Sequence, residues 1–447
     1  MSTPPRSEAP VPDPSVVRAL IVSYAFPPVG GAGVQRVSKL IKYLGHHGVQ
    51  PTVLTSSNPS VPLRDESLLA DLPPEVEIIR TRTFEPEYAV KQSVWRAQAV
   101  PLADPPTLRQ GAMSSLKGLA RQLLLPDPQV LWQPTAMTAL LAVARRVDVA
   151  LISGPPFSQF ALGPAARIGG LPFVLDYRDE WSTVRTTYEM ASGGLGPAFG
   201  DVLEPLILRA ASFVTMATEE FRENLLRRHS FLDPARVVTI ENGYDPDDFP
   251  TTLPSPPTDR YVLAYAGTVF RLTSLRGLLG GVRRLHRDAP EVARHLHLEI
   301  MGRVVDTELV LFKGTEGMHI ERRGYVAHGE VLLRLASAHE VLCVLDDVPG
   351  NERIYPAKIF ELMALGRPLL TLSPQGALQR LVEDLELGPV IPPRDEAAIA
   401  SHLEARIRLF LDGKLGTSPP RSPRVAKYHR SAQAARFADV LRAAVKR

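Results

Sequence analysis

Pro356-Ala357-Lys358-Ile359-Phe360-Glu361-Leu362-Met363-Ala364-Leu365-Gly366-Arg367-Pro368 places a proline in the first turn of a helix and a single carboxylate one turn further in. A glycine ends the helix, and an apolar strand, Leu369-Leu370-Thr371-Leu372, follows at once. Proline's fixed φ suits the start of a helix, and a glycine past the end supplies a left-handed cap. A helix followed so closely by a strand belongs to a parallel sheet. Its free N–H groups then point at the carboxyl edge of that sheet, where anions are held.

The same alternation runs through the chain on both sides. Apolar, β-rich runs fall at Val17–Ser23, Pro51–Thr55, Val76–Arg80, Val149–Ser153, Phe173–Asp176, Phe213–Met216 and Val237–Ile240. A second series falls at Tyr261–Ala266, Leu296–Met301, His319–Arg322, Val341–Leu345 and Leu369–Leu372. Continuous apolar strands separated by helical stretches predict parallel sheets covered on both faces. The proline-rich stretch Pro250–Pro257 between the series reads as a semi-rigid linker. The expected fold class is α/β, with two doubly wound Rossmann-like domains facing a central cleft. The expected division is a disordered segment 1–15, an N-terminal domain 16–249, a linker 250–258, a C-terminal domain 259–415 and a last helical segment 424–447.

A chain of 447 residues exceeds one core and suits two domains. Charged residues make up 22% and the net charge is only +3, so there is no polyelectrolyte signature for nucleic acid. The single cysteine, Cys343, stands in an apolar run and reads as a buried strand residue. That excludes a disulfide framework and fits a reducing, cytoplasmic setting. No stretch reaches the roughly 20 apolar residues of a spanning helix. The segment Met113–Leu125 reads as an amphipathic helix with Lys117 and Arg121 on its polar face. Core packing is its ordinary explanation, and contact with a membrane surface is the alternative.

Chemistry-bearing segments follow the strands. Tyr24 to Arg36 carries Gly30, Gly31 and Gly33 at a strand-to-helix turn, which allows backbone to approach a ligand. Arg36 stands where the third glycine of a dinucleotide fingerprint belongs, and no acidic residue ends the second strand, so nicotinamide binding is disfavoured. Ser153-Gly154-Pro155-Pro156-Phe157-Ser158 and Asp176-Tyr177-Arg178-Asp179-Glu180-Trp181 lie at the same edge. Ser153, Asp176, Arg178 and Asp179 are candidates for an acceptor's hydroxyls, with an internal Arg–Asp brace as the plain alternative for Asp176. In Glu241-Asn242-Gly243-Tyr244-Asp245-Pro246-Asp247, the Asp-x-Asp pair suggests a metal site, but turn formers dominate the segment. Asn242 and Gly243 are expected to shape the hinge side of the cleft. In the second half, Gly267 ends a strand and is followed by Arg271 and Arg276, which can neutralise a diphosphate. Metal-ligand spacings, a Walker loop and a Gly-x-Ser-x-Gly elbow are missing from the sequence.

As an ordered set, Pro-Pro-x-Gly-Gly-x-Gly, Pro-Pro-Phe-Ser, Asp-Tyr-Arg-Asp-Glu-Trp, Glu-Asn-Gly-Tyr-Asp and the Pro-x-Lys-x-x-Glu helix resemble glycosyltransferase family 4, the group 1 transferases of bacterial polysaccharide assembly. The resemblance implies a GT-B fold and metal-independent transfer with retention. It implies no cofactor beyond a nucleotide-diphosphate sugar, bound by the C-terminal domain, and a glycan or lipid-linked acceptor on the N-terminal domain. It also implies that the final helix crosses back to the first domain. Glu361 resembles the family's ribose-binding glutamate and Arg271 its diphosphate-binding basic residue, with Arg276 beside it. Gly31, Gly33, Gly267, Tyr355 and Lys358 fall on the donor side. The family commonly carries a second glutamate eight positions before the first, and here that position is Arg353, with Glu352 and Asn351 next to it. Arg353 is therefore a donor-side candidate that leaves the sugar open. Two rival readings remain: a nucleotide-sugar 2-epimerase on the same fold, and a degenerate nucleotide-sugar-binding partner of an active homologue.

Overall fold

The computed structural model describes residues 16–61, 64–88, 126–182, 195–416 and 423–447. Met113–Leu125 and residues 1–15 lie outside them. Seven strands form the first sheet: β1 (Val17–Val22), β2 (Val49–Ser56), β3 (Glu77–Thr81), β4 (Val149–Gly154), β5 (Phe173–Tyr177), β6 (Phe213–Met216) and β7 (Val237–Thr239). Six form the second: β8 (Tyr261–Ala266), β9 (Leu296–Met301), β10 (Ile320–Gly324), β11 (Glu340–Val344), β12 (Leu369–Leu372) and β13 (Val390–Ile391). The two-residue β13 is the one strand that the apolar runs do not signal.

Helices α1 (Ala32–Leu44), α2 (Gln133–Val143), α3 (Leu162–Ile168), α4 (Leu195–Ala210) and α5 (Glu219–Arg228) serve the first sheet. The second carries α6 (Arg276–Asp288), α7 (Pro290–Ala293), α8 (His328–Ala336), α9 (Lys358–Leu365), α10 (Ala377–Asp384) and α11 (Glu396–Leu411), and α12 (Arg430–Val445) ends the chain.

Strand orders are β3-β2-β1-β4-β5-β6-β7 and β10-β9-β8-β11-β12-β13. The pairings are parallel, as between β1 and β4 or β8 and β11. Successive residues of a strand point to opposite faces. Hence Leu20 and Val22 enter one apolar cluster while Ala19 and Ile21 enter another. In β8, Leu263 and Tyr265 oppose Val262 and Ala264 in the same way. The inner strands of both sheets are therefore buried on both sides. Cys343, in β11, is wholly buried, and burial pushes its thiol up to about 11.

Helix α12 packs on the first domain: Ala434, Phe437, Ala438, Leu441 and Ala444 share a cluster with Val37, Leu40 and Ile41 of α1. Each sheet reverses its strand order between two strands, β1/β4 and β8/β11. Ligand crevices of doubly wound sheets form outside the strand ends at such reversals. The glycine turn follows β1, the Pro-Pro-Phe-Ser turn β4, Gly267 β8, and the Asn351–Lys358 stretch β11.

Candidate functional site

From the first domain, Gly31 caps α1 with φ +110°, a backbone that favours glycine, and a Cβ there would meet nothing within 4 Å. The turn therefore presents bare backbone to open space. Arg178 is the prop behind it. Its guanidinium donates to the carbonyls of Gly33 and Pro155, tying the turns after β1 and β4 together. Arg178, an acceptor-side candidate, is thus held here by backbone carbonyls.

Asp176 also turns inward. Its carboxylate accepts from Arg36 Nη2 at 2.8 Å and Nε at 3.1 Å, from Ser153 Oγ at 2.6 Å and from Thr215 Oγ1 at 2.8 Å. Burial alone would raise its pKa, but Arg36 beside it brings it below the usual range. Arg36 further donates to the carbonyls of Ile240 and Glu241 and to Asn242 Oδ1. The brace weighed for Asp176 exists, and its cation is Arg36, the residue that breaks the dinucleotide fingerprint. Ser153 and Asp176 are thus spent inside the protein. Asp179 is half-buried, and that enclosure raises its pKa despite the nearby Arg178.

The Asp-x-Asp segment is likewise occupied. Lys39 Nζ lies 2.8 Å from Asp71 and 2.9 Å from Asp245 and also pairs with Asp248. Lys42 bridges Asp245 and Asp247 at 2.7 and 2.8 Å, and the Tyr43 hydroxyl donates to Asp245 at 2.6 Å. Asp71, Asp245 and Asp248 have the mutual spacing of metal ligands, yet an ammonium sits among them. Gly243 admits the C-terminal segment: a Cβ there would stand 2.1 Å from the Tyr428 carbonyl.

From the second domain, Gly267 has φ +144°, and Gly302 beside it has no room for a side chain, since its Cβ would lie 2.2 Å from the Gly267 carbonyl. Lys358 Nζ stands 3.7 Å from the centre of the Tyr265 ring and would be 3.0 Å from a Cβ on Gly267. Arg271 and Arg276 are exposed on the turn after β8 and at the start of α6. Helix α9 begins at Lys358, so Pro356 lies just ahead of its first turn. Gly366 caps the other end with φ +72°, as the sequence requires. Tyr355 packs edge-on against Phe360, with its hydroxyl pKa raised by burial.

Glu361 projects from the first turn of α9, half-buried, beside His328 Nε2 at 3.7 Å. Burial raises its pKa, and His328 and Arg430 offset only part of that. Arg353, in contrast, reaches across to the first domain and pairs with Glu180. Asn351 is pinned to the carbonyls of Leu272 and Asp346, and Glu352 accepts from Gly350 N–H and from Arg353. Beside the pair lies a cavity of about 390 Å³ lined by Glu220, Glu223, Arg227, Gln375 and Arg380 among others.

Sequence reasoning passed over His328, Arg430 and Lys39, and did not pair Glu180 with Arg353. His328 opens α8 directly after β10, so the rule that placed the other segments at strand ends could have flagged it. Arg430 comes from the last helix, and nothing local announces where that helix lands.

Two parallel α/β domains with ligand turns at both strand reversals define the class: this is a GT-B fold. Residues 30–243 match the model of the glycosyl transferase 4-like domain. No curated protein matches the chain in sequence. Among solved structures, sucrose-phosphate synthase from Thermosynechococcus elongatus is 18% identical with a TM-score of 0.63, covering 95% of this chain and 98% of that one. The lipopolysaccharide outer core galactosyltransferase WaaB is 11% identical with a TM-score of 0.56, covering 95% and 99%. An enzyme described as UDP-N-acetylglucosamine 2-epimerase from Listeria monocytogenes is 14% identical with a TM-score of 0.50, covering 94% and 95%.

Proposed function

We propose that this protein transfers a sugar from a nucleotide-diphosphate donor to a glycan or lipid-linked acceptor, with retention and with no metal or other cofactor. The observation that carries the reading is Glu361. It is a half-buried carboxylate at the N-terminal turn of α9, and no protein hydrogen bond holds it among the described residues. A ribose offers two adjacent hydroxyls to such a carboxylate. Around it, the amides of α9, Lys358, Arg271 and Arg276 supply positive charge for a leaving diphosphate, which is where transfer builds negative charge. Gly267 and Gly31 let backbone close on the donor from both domains. Closure excludes water, which would otherwise take the acceptor's place.

On the acceptor side we assign Asp179 to contact, with Arg178, Asp176 and Ser153 positioning the turns around it. Tyr355 walls the donor side, and Arg353 acts through its cross-cleft pair rather than on the sugar. The acceptor hydroxyl attacks on the face of the leaving group and its proton passes to the departing diphosphate, so no side-chain base is required. We place the protein in the cytoplasm, reaching a lipid-linked acceptor at the membrane surface. No helix among the described residues is long and apolar enough to cross a membrane.

The test is calorimetric titration with UDP and GDP on the wild type and Glu361→Ala, followed by a donor screen with and without acceptor. One diphosphate should bind, and the substitution should weaken it about tenfold or more. Product formed without acceptor would favour an epimerase. Failure of both nucleotides at millimolar concentration would favour the degenerate partner.

A further inference from the structure

His328 stands where three parts of the molecule meet. Its Nδ1 lies 3.1 Å from Gln35 Nε2 on α1, in the first domain. Its Nε2 faces Glu361 of α9 at 3.7 Å and Asp248, in the turn that ends the first domain, at 3.6 Å. Nε2 is buried without a hydrogen-bond partner. An unmade bond at a buried donor is costly, and here two acceptors stand within an ångström of making it. With Gln35 Nε2 as donor, Nδ1 accepts, so the neutral ring carries its proton on Nε2 and turns it toward both carboxylates.

We propose that His328 is a positioning residue: its Nε2–H orients the Glu361 carboxylate for the ribose, and its contact with Gln35 makes that orientation depend on how the domains stand. The proposal rests on the reading that Glu361 binds the nucleotide. Ligand hydroxyls drawing Glu361 into place would bring its free oxygen onto Nε2. A bond made only in the bound, closed state strengthens binding and closure together.

The charges around the ring come from every neighbour. Glu361 faces it from α9, Asp248 from the turn that ends the first domain and Lys39 from α1, while Asp65 is coupled to it from the turn after β2. Arg430 of α12 lies behind Glu361. Burial would lower the imidazole pKa, but Asp248 and Glu361 outweigh it and leave it raised. The ring is therefore cationic at lower pH, where Nδ1 is also a donor and Gln35 must turn its amide oxygen toward it, and Nε2–H faces Glu361 with added charge; that charge is lost as pH rises.

The experiment measures UDP and GDP affinity between pH 6 and 9 for the wild type, His328→Ala and His328→Gln. It is joined to an NMR titration of the His328 ring in ligand-free wild type and Glu361→Gln. Wild-type affinity should fall on the alkaline side. His328→Ala should bind about tenfold more weakly, and His328→Gln, which keeps a donor and cannot titrate, should bind nearly normally with a flat profile. Glu361→Gln should lower the ring's midpoint. Unchanged binding in His328→Ala, an unaltered slope in His328→Gln, or an unmoved midpoint would each overturn the proposal. If neither nucleotide binds the wild type, the assignment of Glu361 fails and the coupling falls with it. The ring titration then still reports whether His328 senses Glu361.

Discussion

Arg353 Nη2 and Nε both donate to Oε2 of Glu180, at 2.9 and 3.1 Å, and so bind the second domain to the first across the cleft. Glu180 is buried and also accepts from Asn224 Nδ2, while Arg353 stays a quarter exposed. The Thr218 hydroxyl also crosses the cleft, donating to the Arg353 carbonyl at 2.9 Å. A glutamate at position 353, as the resembling family commonly has, would face Glu180 with like charge. The arginine therefore reads as matched to Glu180.

Arg353→Glu should spring this latch. Two carboxylates would oppose each other where one is already out of water, and the closed arrangement should lose about 1–3 kcal/mol. Small-angle scattering of the ligand-free protein should show a larger radius of gyration than the wild type. Glu180→Arg added to Arg353→Glu should restore it. An unchanged radius in the single variant would mean that other cross-cleft contacts, such as Tyr325 with Asp65 and Arg380 with Glu220, suffice.

The brace under the first domain is a sharper case, because both partners are buried. Arg36→Ala takes from Asp176 the cation hydrogen-bonded to it, leaving only the more distant Arg178, and should cost about 3–5 kcal/mol, the penalty of a stranded buried charge. Arg36→Leu with Asp176→Leu should cost much less than Arg36→Ala alone. Denaturant melts of the three proteins make the comparison. Equal losses would show that the pair's packing, not its charge, is what matters.

Much of this plan was legible before any coordinates. The inner strands declare themselves because buried parallel strands must be continuously apolar, the edge strands β3 and β10 show only a short apolar start, and β13 declares nothing because two residues make no pattern. The turns at the strand reversals announce themselves by glycine and proline. Local patterns say little about which charges pair across long separations. Asp176 meets Arg36 over 140 positions, Arg353 meets Glu180 over 173, and His328 meets Gln35 over 293. A charged residue at a strand end looks the same whether it awaits a ligand or a partner, and only packing decides. Glu361 could be picked out because its helix is short, and its surroundings remained hidden because they come from α8 and α12.

Acid should unfold the protein through the Lys39 cluster. Burial would raise the pKa of Asp245, but hydrogen bonds from Lys42, Tyr43 and Lys39 hold it far below the ordinary value, and Asp248 is lowered by His328 and Lys39. Groups whose folded pKa is depressed contribute stability above the unfolded value near 4, and lose it as pH falls through the folded values. Stability should therefore drop below about pH 4. Lys39→Met should move the acid transition upward by about one pH unit, because the three carboxylates lose their shared cation. Circular dichroism against pH checks this, and an unmoved midpoint would place the acid-sensitive groups elsewhere.

Phosphate and ribose contacts can be separated by comparing a nucleoside monophosphate with its diphosphate. Lys358 stands against Gly267, and Arg271 and Arg276 follow in the turn after β8 and at the start of α6; on the proposed reading these meet the second phosphate and Glu361 meets the ribose. Removing a phosphate contact should hurt the diphosphate and spare the monophosphate, whereas removing a ribose contact should hurt both alike. The expected result is that Arg271→Ala and Lys358→Ala each narrow the gap between UDP and UMP, or GDP and GMP, by about five- to tenfold. Glu361→Ala should weaken both ligands and leave the gap intact. Salt should compress the gap most in the wild type, since exposed arginines are screened at ordinary ionic strength. If Glu361→Ala selectively removes the diphosphate advantage, the carboxylate acts near the phosphates, and the ligand lies along the cleft in the opposite sense.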